Sequence, residues 1–156
     1  MTAVSPVLRI EFLCRVEVSL EAPRELGQTP LGRRRIIGIA GGSFSGPRFS
    51  GRVLPGGADW QLIRADGVAY LDARYALETA DGALVYVRNR GYRHGTAEAM
   101  ARIARGEEVD PALVYTRTTP WFETSDARYD WLNRTVFVGS AVRRPAAVEL
   151  EFHAVQ

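Results

Sequence analysis

Asp72 and Arg74 stand two residues apart in Tyr70-Leu71-Asp72-Ala73-Arg74-Tyr75. On a strand, that spacing points both side chains to one face of the sheet. If the face lines a cavity, the pair is an acid beside an anion clamp; if it meets water, it is an ordinary surface ion pair. The opposite face, Ala69, Leu71, Ala73, Tyr75 and Leu77, reads as core packing and competes for the interior. Tyr115 and Arg117 repeat the two-residue spacing. A tyrosine can give a proton, and an arginine can hold a developing oxyanion. Asp72, Arg74, Tyr115 and Arg117 are the candidate catalytic set.

A second set suits binding. Trp131 and Asn133 would share a strand face, an aromatic wall with an amide handle for a planar ligand. Asp59 follows the turn Pro55-Gly56-Gly57-Ala58. It either caps backbone N–H groups there or serves as a general base at a cavity mouth. Trp60, Tyr86 and Asn89 complete the candidate ligand-binding residues, with plain packing as the competing reading for Trp60 and Tyr86.

Other chemistries find little support. Two separated histidines, His94 and His153, and one cysteine do not make a zinc site, so no metal or cofactor is expected. His94 reads as a loop histidine, and Cys14, on an apolar strand face, as a buried inert thiol. Ser43 and Ser45 lack the nucleophile-elbow pattern, and the glycines form no phosphate loop. All 20 basic residues are Arg against 18 acids, a net charge of +2 that is no nucleic-acid signature. Arg33-Arg34-Arg35 is expected on a solvated edge strand, where charge blocks strand addition. No apolar run reaches the length of a membrane span, and residues 1–9 show no secretory pattern.

The elements that must position these residues are strands. The 156 residues suit one domain, 1–156. From Leu8 to Val18 the even positions are apolar, with Leu13 as an exception on the polar face. Further strands are predicted over 34–40, 43–53, 59–64, 68–79, 83–90, 113–119, 131–138 and 147–155, with Gly41-Gly42 as a break and Asp66-Gly67 and Asp81-Gly82 as hairpin turns. Residues 97–105 predict one short helix, capped by Thr96 and stopped by Gly106, with Met100, Ile103 and Ala104 on one face. About eight to ten antiparallel strands and one helix predict an all-β up-and-down barrel, whose closure removes sheet edges.

Several blocks carry a resemblance in the same order: Gly41-Gly42-Ser43-Phe44-Ser45-Gly46-Pro47, Leu54-Pro55-Gly56-Gly57-Ala58-Asp59-Trp60, Leu71-Asp72-Ala73-Arg74-Tyr75 and Val87-Arg88-Asn89-Arg90-Gly91. Arg117-Thr118-Thr119-Pro120 with Phe122-Glu123, and Trp131-Leu132-Asn133 with Phe137-Val138-Gly139, complete them. Over roughly residues 7–155 the chain resembles a bacterial family called domain of unknown function 3237. The resemblance implies a lipocalin-like barrel with a cavity and no particular reaction, so function rests on the site.

Three readings follow. One is a cofactor-independent acid/base enzyme, an isomerase, dehydratase or cyclase, acting on a small carbonyl or carboxylate compound, with Asp72 or Asp59 as base. The second is a protein that binds a small acidic or aromatic metabolite unchanged. The third is a structural barrel whose ion pairs, Asp72 with Arg74 and Glu123 with Arg117, hold strands or chains together. A small molecule is the expected partner, with a homodimer as a further expectation, no nucleic acid or membrane, and a cytoplasmic location.

Overall fold

The computed structural model describes residues 6–156. Residues 1–5 of the stretch read for a secretory pattern lie outside the described residues. The described residues form ten strands: β1 (Ile10–Leu20), β2 (Arg24–Thr29), β3 (Gly32–Ser45), β4 (Gly51–Val53), β5 (Ala58–Ile63), β6 (Ala69–Thr79), β7 (Leu84–Gly95), β8 (Val114–Glu123), β9 (Phe137–Arg143) and β10 (Ala147–Val155). All their pairings are antiparallel. β1 and β2 follow each other along one side of β3, and β5 and β4 along the other. The ten strands therefore make eight staves, closed where β1 meets both β10 and β3. This is the expected antiparallel barrel.

Local irregularities account for the differences from the periodic pattern. β3 runs through Gly41-Gly42 instead of breaking there. Ser19 pairs with Gly41 and Leu20 with Ile39, so Ala40 is an extra residue, a bulge that turns the strand toward β1 and β4. Gly42 has φ +143°, and a Cβ there would stand 2.0 Å from the Glu17 carbonyl oxygen. Only glycine lets β1 and β3 come this close. A second bulge, between Phe12 and Cys14, puts both Leu13 and Cys14 inside and leaves Ile10 and Phe12 outside. Burial pushes the Cys14 thiol up to about 12, in keeping with an inert thiol.

Three other expectations are corrected. β2 carries no clear alternation and went unpredicted. Arg33-Arg34-Arg35 is not on an edge, because β3 is paired with β2 on one side and β5 on the other. Arg35 points inward and is buried. Residues 131–134 are not strand: Ala127–Arg134 forms a 3-10 helix kinked at Tyr129, its first turn capped by the Asp126 side chain, and β9 starts only at Phe137.

The barrel has two unlike ends. At one, Phe44, Phe49, Phe122, Phe137 and Phe152 pack with Leu132 and Tyr129 of the 3-10 helix into a solid floor. At the other, the inward positions turn polar. There β8 and β9 share only the register pairs Arg117–Ser140 and Thr118–Gly139. The helix α1 (Ala97–Ala104) covers this side, with Ala99, Ile103 and Val109 buried against Met100 and Val114. Ala104 is exposed, so Ala99 takes its expected place on the apolar face. No described helix is long and apolar enough to cross a membrane.

Candidate functional site

The polar end of the barrel encloses a cavity of about 70 Å³. One water needs roughly 10–15 Å³ on the same measure, so several waters or a compact ligand fit. Val18, Leu20, Ile37, Ile39, Leu71 and Leu150 supply apolar wall. The polar lining consists of Asp59, Gln61, Tyr75, Asn89, Arg93, Thr116, Thr118 and Arg143.

Each polar side chain arrives by continuing an inward alternation. On β7 the buried series Val85, Val87, Asn89, Gly91, Arg93 turns from aliphatic to polar as it leaves the floor. On β8, Phe122 and Pro120 are followed inward by Thr118 and Thr116. β9 ends the same way, from Phe137 and Gly139 to Ala141 and Arg143. On β5, Asp59 and Gln61 point in and Trp60 points out.

Hydrogen bonds fix Asp59. Its Oδ1 accepts the backbone N–H of Asp72 at 2.9 Å, and its Oδ2 accepts the Gln61 amide at 3.2 Å. Gln61 Oε1 in turn accepts from Arg35 at 3.4 Å. Asp59 thus does cap a backbone N–H, one on the neighbouring strand β6, and it also lines the cavity. Burial raises its carboxyl above the usual range, against the Asp72 N–H, the Arg93 charge and the Gln61 amide, which all lower it. Burial likewise lowers Arg93 to about 10, with the Asp59 charge opposing. It lowers Arg143 too, helped by the charge of Arg35.

Four buried side-chain atoms around this cavity have no hydrogen-bond partner: Tyr75 Oη, Asn89 Oδ1, Arg93 Nε and Thr118 Oγ1. Buried polar groups are nearly always satisfied, by protein or by ordered water, so these four atoms are placed to meet a water or a ligand in the cavity.

A pH dependence follows. The folded state holds Asp59's pKa above 3.8, so folding favours the protonated carboxyl. The stabilisation from that proton is complete below the unfolded value and fades as pH rises through the raised folded value. In urea unfolding, the wild type should lose stability relative to Asp59→Asn over that window. Parallel curves for the two proteins would contradict the raised pKa.

The predicted catalytic set does not come together in the cavity. Asp72 and Arg74 lie on the outer face of β6, because the apolar face takes the interior. Asp72 is bound by Arg88 at 3.1 Å and 3.2 Å and by Arg74 at 3.5 Å. Partial burial pushes its carboxyl up, but the hydrogen bonds and charge of Arg88, then of Arg74, outweigh that and hold it low. Tyr115 and Arg117 also face outward, where Tyr115 stacks on His94 at 4.8 Å and Arg117 lies over the Tyr115 ring at 5.3 Å. Thr116 and Thr118, between and beyond them, are the inward residues of β8.

Of the predicted binding residues, Asp59 and Asn89 line the cavity. Trp60 and Tyr86 are exposed on the outer surface, Tyr86 edge-on to Trp121 at 6.1 Å. Trp131 and Asn133 share no strand face, since they sit on the 3-10 helix. Trp131 lies under Arg48 and against Phe49 at the floor, and the Asn133 amide ties down the Thr124 backbone. Gln61, Tyr75, Arg93, Thr116, Thr118 and Arg143 were missed. Their signal was a polar residue in phase with an apolar inward face, not polar residues sharing a polar face.

Residues 8–155 match the family described as Protein of unknown function (DUF3237). A UPF0311 protein of Rhodopseudomonas palustris is 43% identical over 97% of this chain and 99% of its own length. The crystal structure of the Rhodopseudomonas palustris protein of unknown function superposes with a TM-score of 0.94 over 97% of this chain and 100% of that one. A beta-barrel like protein of Acinetobacter baumannii is 46% identical, with a TM-score of 0.87 over 98% of this chain and 99% of the other. More distantly, a hydroalkoxylation enzyme of Penicillium herquei is 29% identical over 65% of this chain and 53% of its own length.

Proposed function

The chain belongs to this DUF3237 family, and from that premise we propose that it is a cofactor-independent acid/base enzyme whose centre is Asp59. The observation that carries the reading is the half-buried carboxylate of Asp59 in a cavity walled by aliphatic side chains on one side and by polar ones on the other, with four unpartnered polar atoms around it. A carboxyl raised by burial holds its proton nearer to neutral pH, which is what a group that both takes and returns a proton needs. The distant likeness to a hydroalkoxylation enzyme supports a reaction of that class, the addition of a hydroxyl O–H across a carbon–carbon double bond.

In this reading a small compound carries a hydroxyl and a double bond conjugated to a carbonyl. Ionised Asp59 takes the hydroxyl proton as oxygen bonds the β carbon. The displaced electron pair moves to the carbonyl oxygen, where the Arg93 guanidinium stabilises the oxyanion. Protonated Asp59 then gives its proton to the α carbon. The product is an isomer of the substrate, so no redox partner is required. Apolar wall on one side holds the carbon skeleton and keeps bulk water from the oxyanion. The reading is that of a cytoplasmic protein, since one free thiol, Cys14, suits a reducing compartment.

The test is a panel of small hydroxylated enones and unsaturated hydroxy acids incubated with the protein in D2O. The expected result is an isomeric product carrying deuterium at the α carbon, seen by mass spectrometry and NMR. Binding of panel members with neither turnover nor deuterium exchange would overturn the reading and leave a binding protein.

A further inference from the structure

Arg93 is the group this cavity explains least. Its side chain is 6% exposed. Among the described residues it takes part in no side-chain hydrogen bond and in no ion pair within 4.0 Å, and its Nε is buried without a partner. A buried guanidinium without an acceptor is costly, far more so than one left in water. The second guanidinium of the lining, Arg143, donates only to backbone carbonyls, those of Arg144, Pro145 and Ala147. Arg35, just beyond, is already taken by Glu25 at 2.8 Å and by Gln61. Against Arg93 and Arg143 the lining holds one carboxylate, Asp59.

The cavity therefore carries an excess positive charge in a place that water reaches poorly. The other residues in reach add acceptors and donors but no negative charge: Asn89, Thr116, Thr118, Gln61 and Tyr75. A planar guanidinium is matched by a carboxylate, which accepts two parallel N–H bonds in one plane. Thr118 Oγ1 and Asn89 lie on the same lining and can complete the contact. The aliphatic side chains opposite leave room for a short carbon skeleton.

Resting on the acid/base reading and naming its substrate class, we propose that Arg93 is the anchor of a carboxylate subsite, and that the substrate is a small monocarboxylate. That carboxylate is the carbonyl group conjugated to the double bond, so it sits on Arg93 both before and during the addition, and the remainder of the molecule extends along the apolar wall past Asp59.

The experiment uses the intact protein and a matched pair of probes, sodium pentanoate and neutral pentanamide, at equal ionic strength with sodium chloride as the added salt. Calorimetry and thermal shift read the binding. Pentanoate should bind about 30-fold or more tightly than pentanamide. Arg93→Met should reduce that ratio to near one while the protein stays folded, since an apolar side chain replaces a buried unpaired charge. Arg143→Met is the second variant and should weaken pentanoate less than Arg93→Met does. Equal binding of the two probes, no binding of either, or an unchanged ratio in Arg93→Met would overturn the proposal. The two readings fail separately. Turnover confined to neutral compounds would sink the carboxylate subsite and keep the enzyme, whereas tight carboxylate binding without turnover on the panel would do the reverse.

Discussion

Asp59→Asn should lower kcat by about 10²–10⁴-fold on any substrate the panel identifies, with KM changed much less. Asparagine keeps the shape and can still accept the Asp72 N–H, so the β5–β6 contact that holds position 59 survives. It cannot carry a proton between oxygen and carbon. The Gln61 amide must turn to avoid facing a second amide N–H, a local change that leaves the aliphatic wall alone. Folding should not suffer at neutral pH, because the substitution removes a carboxylate that burial disfavours. Asp72→Asn is the paired control. Asp72 faces outward into Arg88 and Arg74, away from the cavity, and its backbone N–H to Asp59 is kept in the variant, so turnover should be unchanged. Activity retained in Asp59→Asn, or lost in Asp72→Asn, would move the centre out of the cavity altogether. Steady-state kinetics of the three proteins, with circular dichroism to confirm their folding, decides the matter.

The contrast between Asp59 and Asp72 shows what the sequence could reveal. Period two identifies which residues share a face, and it did so correctly on β6, where Leu71, Ala73 and Tyr75 line the interior. The barrel and its helix were readable for the same reason: alternation, hairpin turns and a Thr96 cap are local. Chemistry was sought on the polar face, and on an eight-stave barrel that face is the outer one. The informative signal was an inward series that ends in a polar residue, as Val85 and Val87 lead to Asn89 and Arg93. Distance along the chain hid the rest. Asp59, Arg93 and Arg143 come from three strands that only closure of the barrel brings to one end. The bulges at Leu13 and Ala40 shift the phase by one residue; the alternation marks the first only as an apolar exception at Leu13 and the second not at all. Trp131 and Asn133 were misread because a 3-10 turn leading into a strand leaves no periodic mark in so few residues.

Phe122→Ala should have the opposite profile to Asp59→Asn. Phe122 is fully buried at the floor, with Phe137 edge-on at 4.9 Å, Phe152 at 5.9 Å and Phe49 at 6.4 Å. Removing the ring leaves a cavity among three other aromatics, held by β9, β10 and the connection between β3 and β4, that cannot all collapse into it. The expected loss is about 3–5 kcal/mol, or roughly 6–20 °C in Tm for a chain of this size. Phe122 is nonetheless two inward positions from Thr118 on β8, and it does not line the polar cavity. While the variant remains folded, its kcat and its preference for pentanoate over pentanamide should match the wild type. This separation follows from the architecture. The aromatic floor and the 3-10 helix hold one end of the barrel shut by ring packing, with the Tyr129 hydroxyl donating to Asp81, so the other end can carry Arg93, Asn89, Tyr75 and Thr118 with unpartnered polar atoms. Thermal unfolding and turnover measured on the same preparation test it. A Phe122→Ala protein that folds well but has lost activity would mean that floor and cavity are one coupled core.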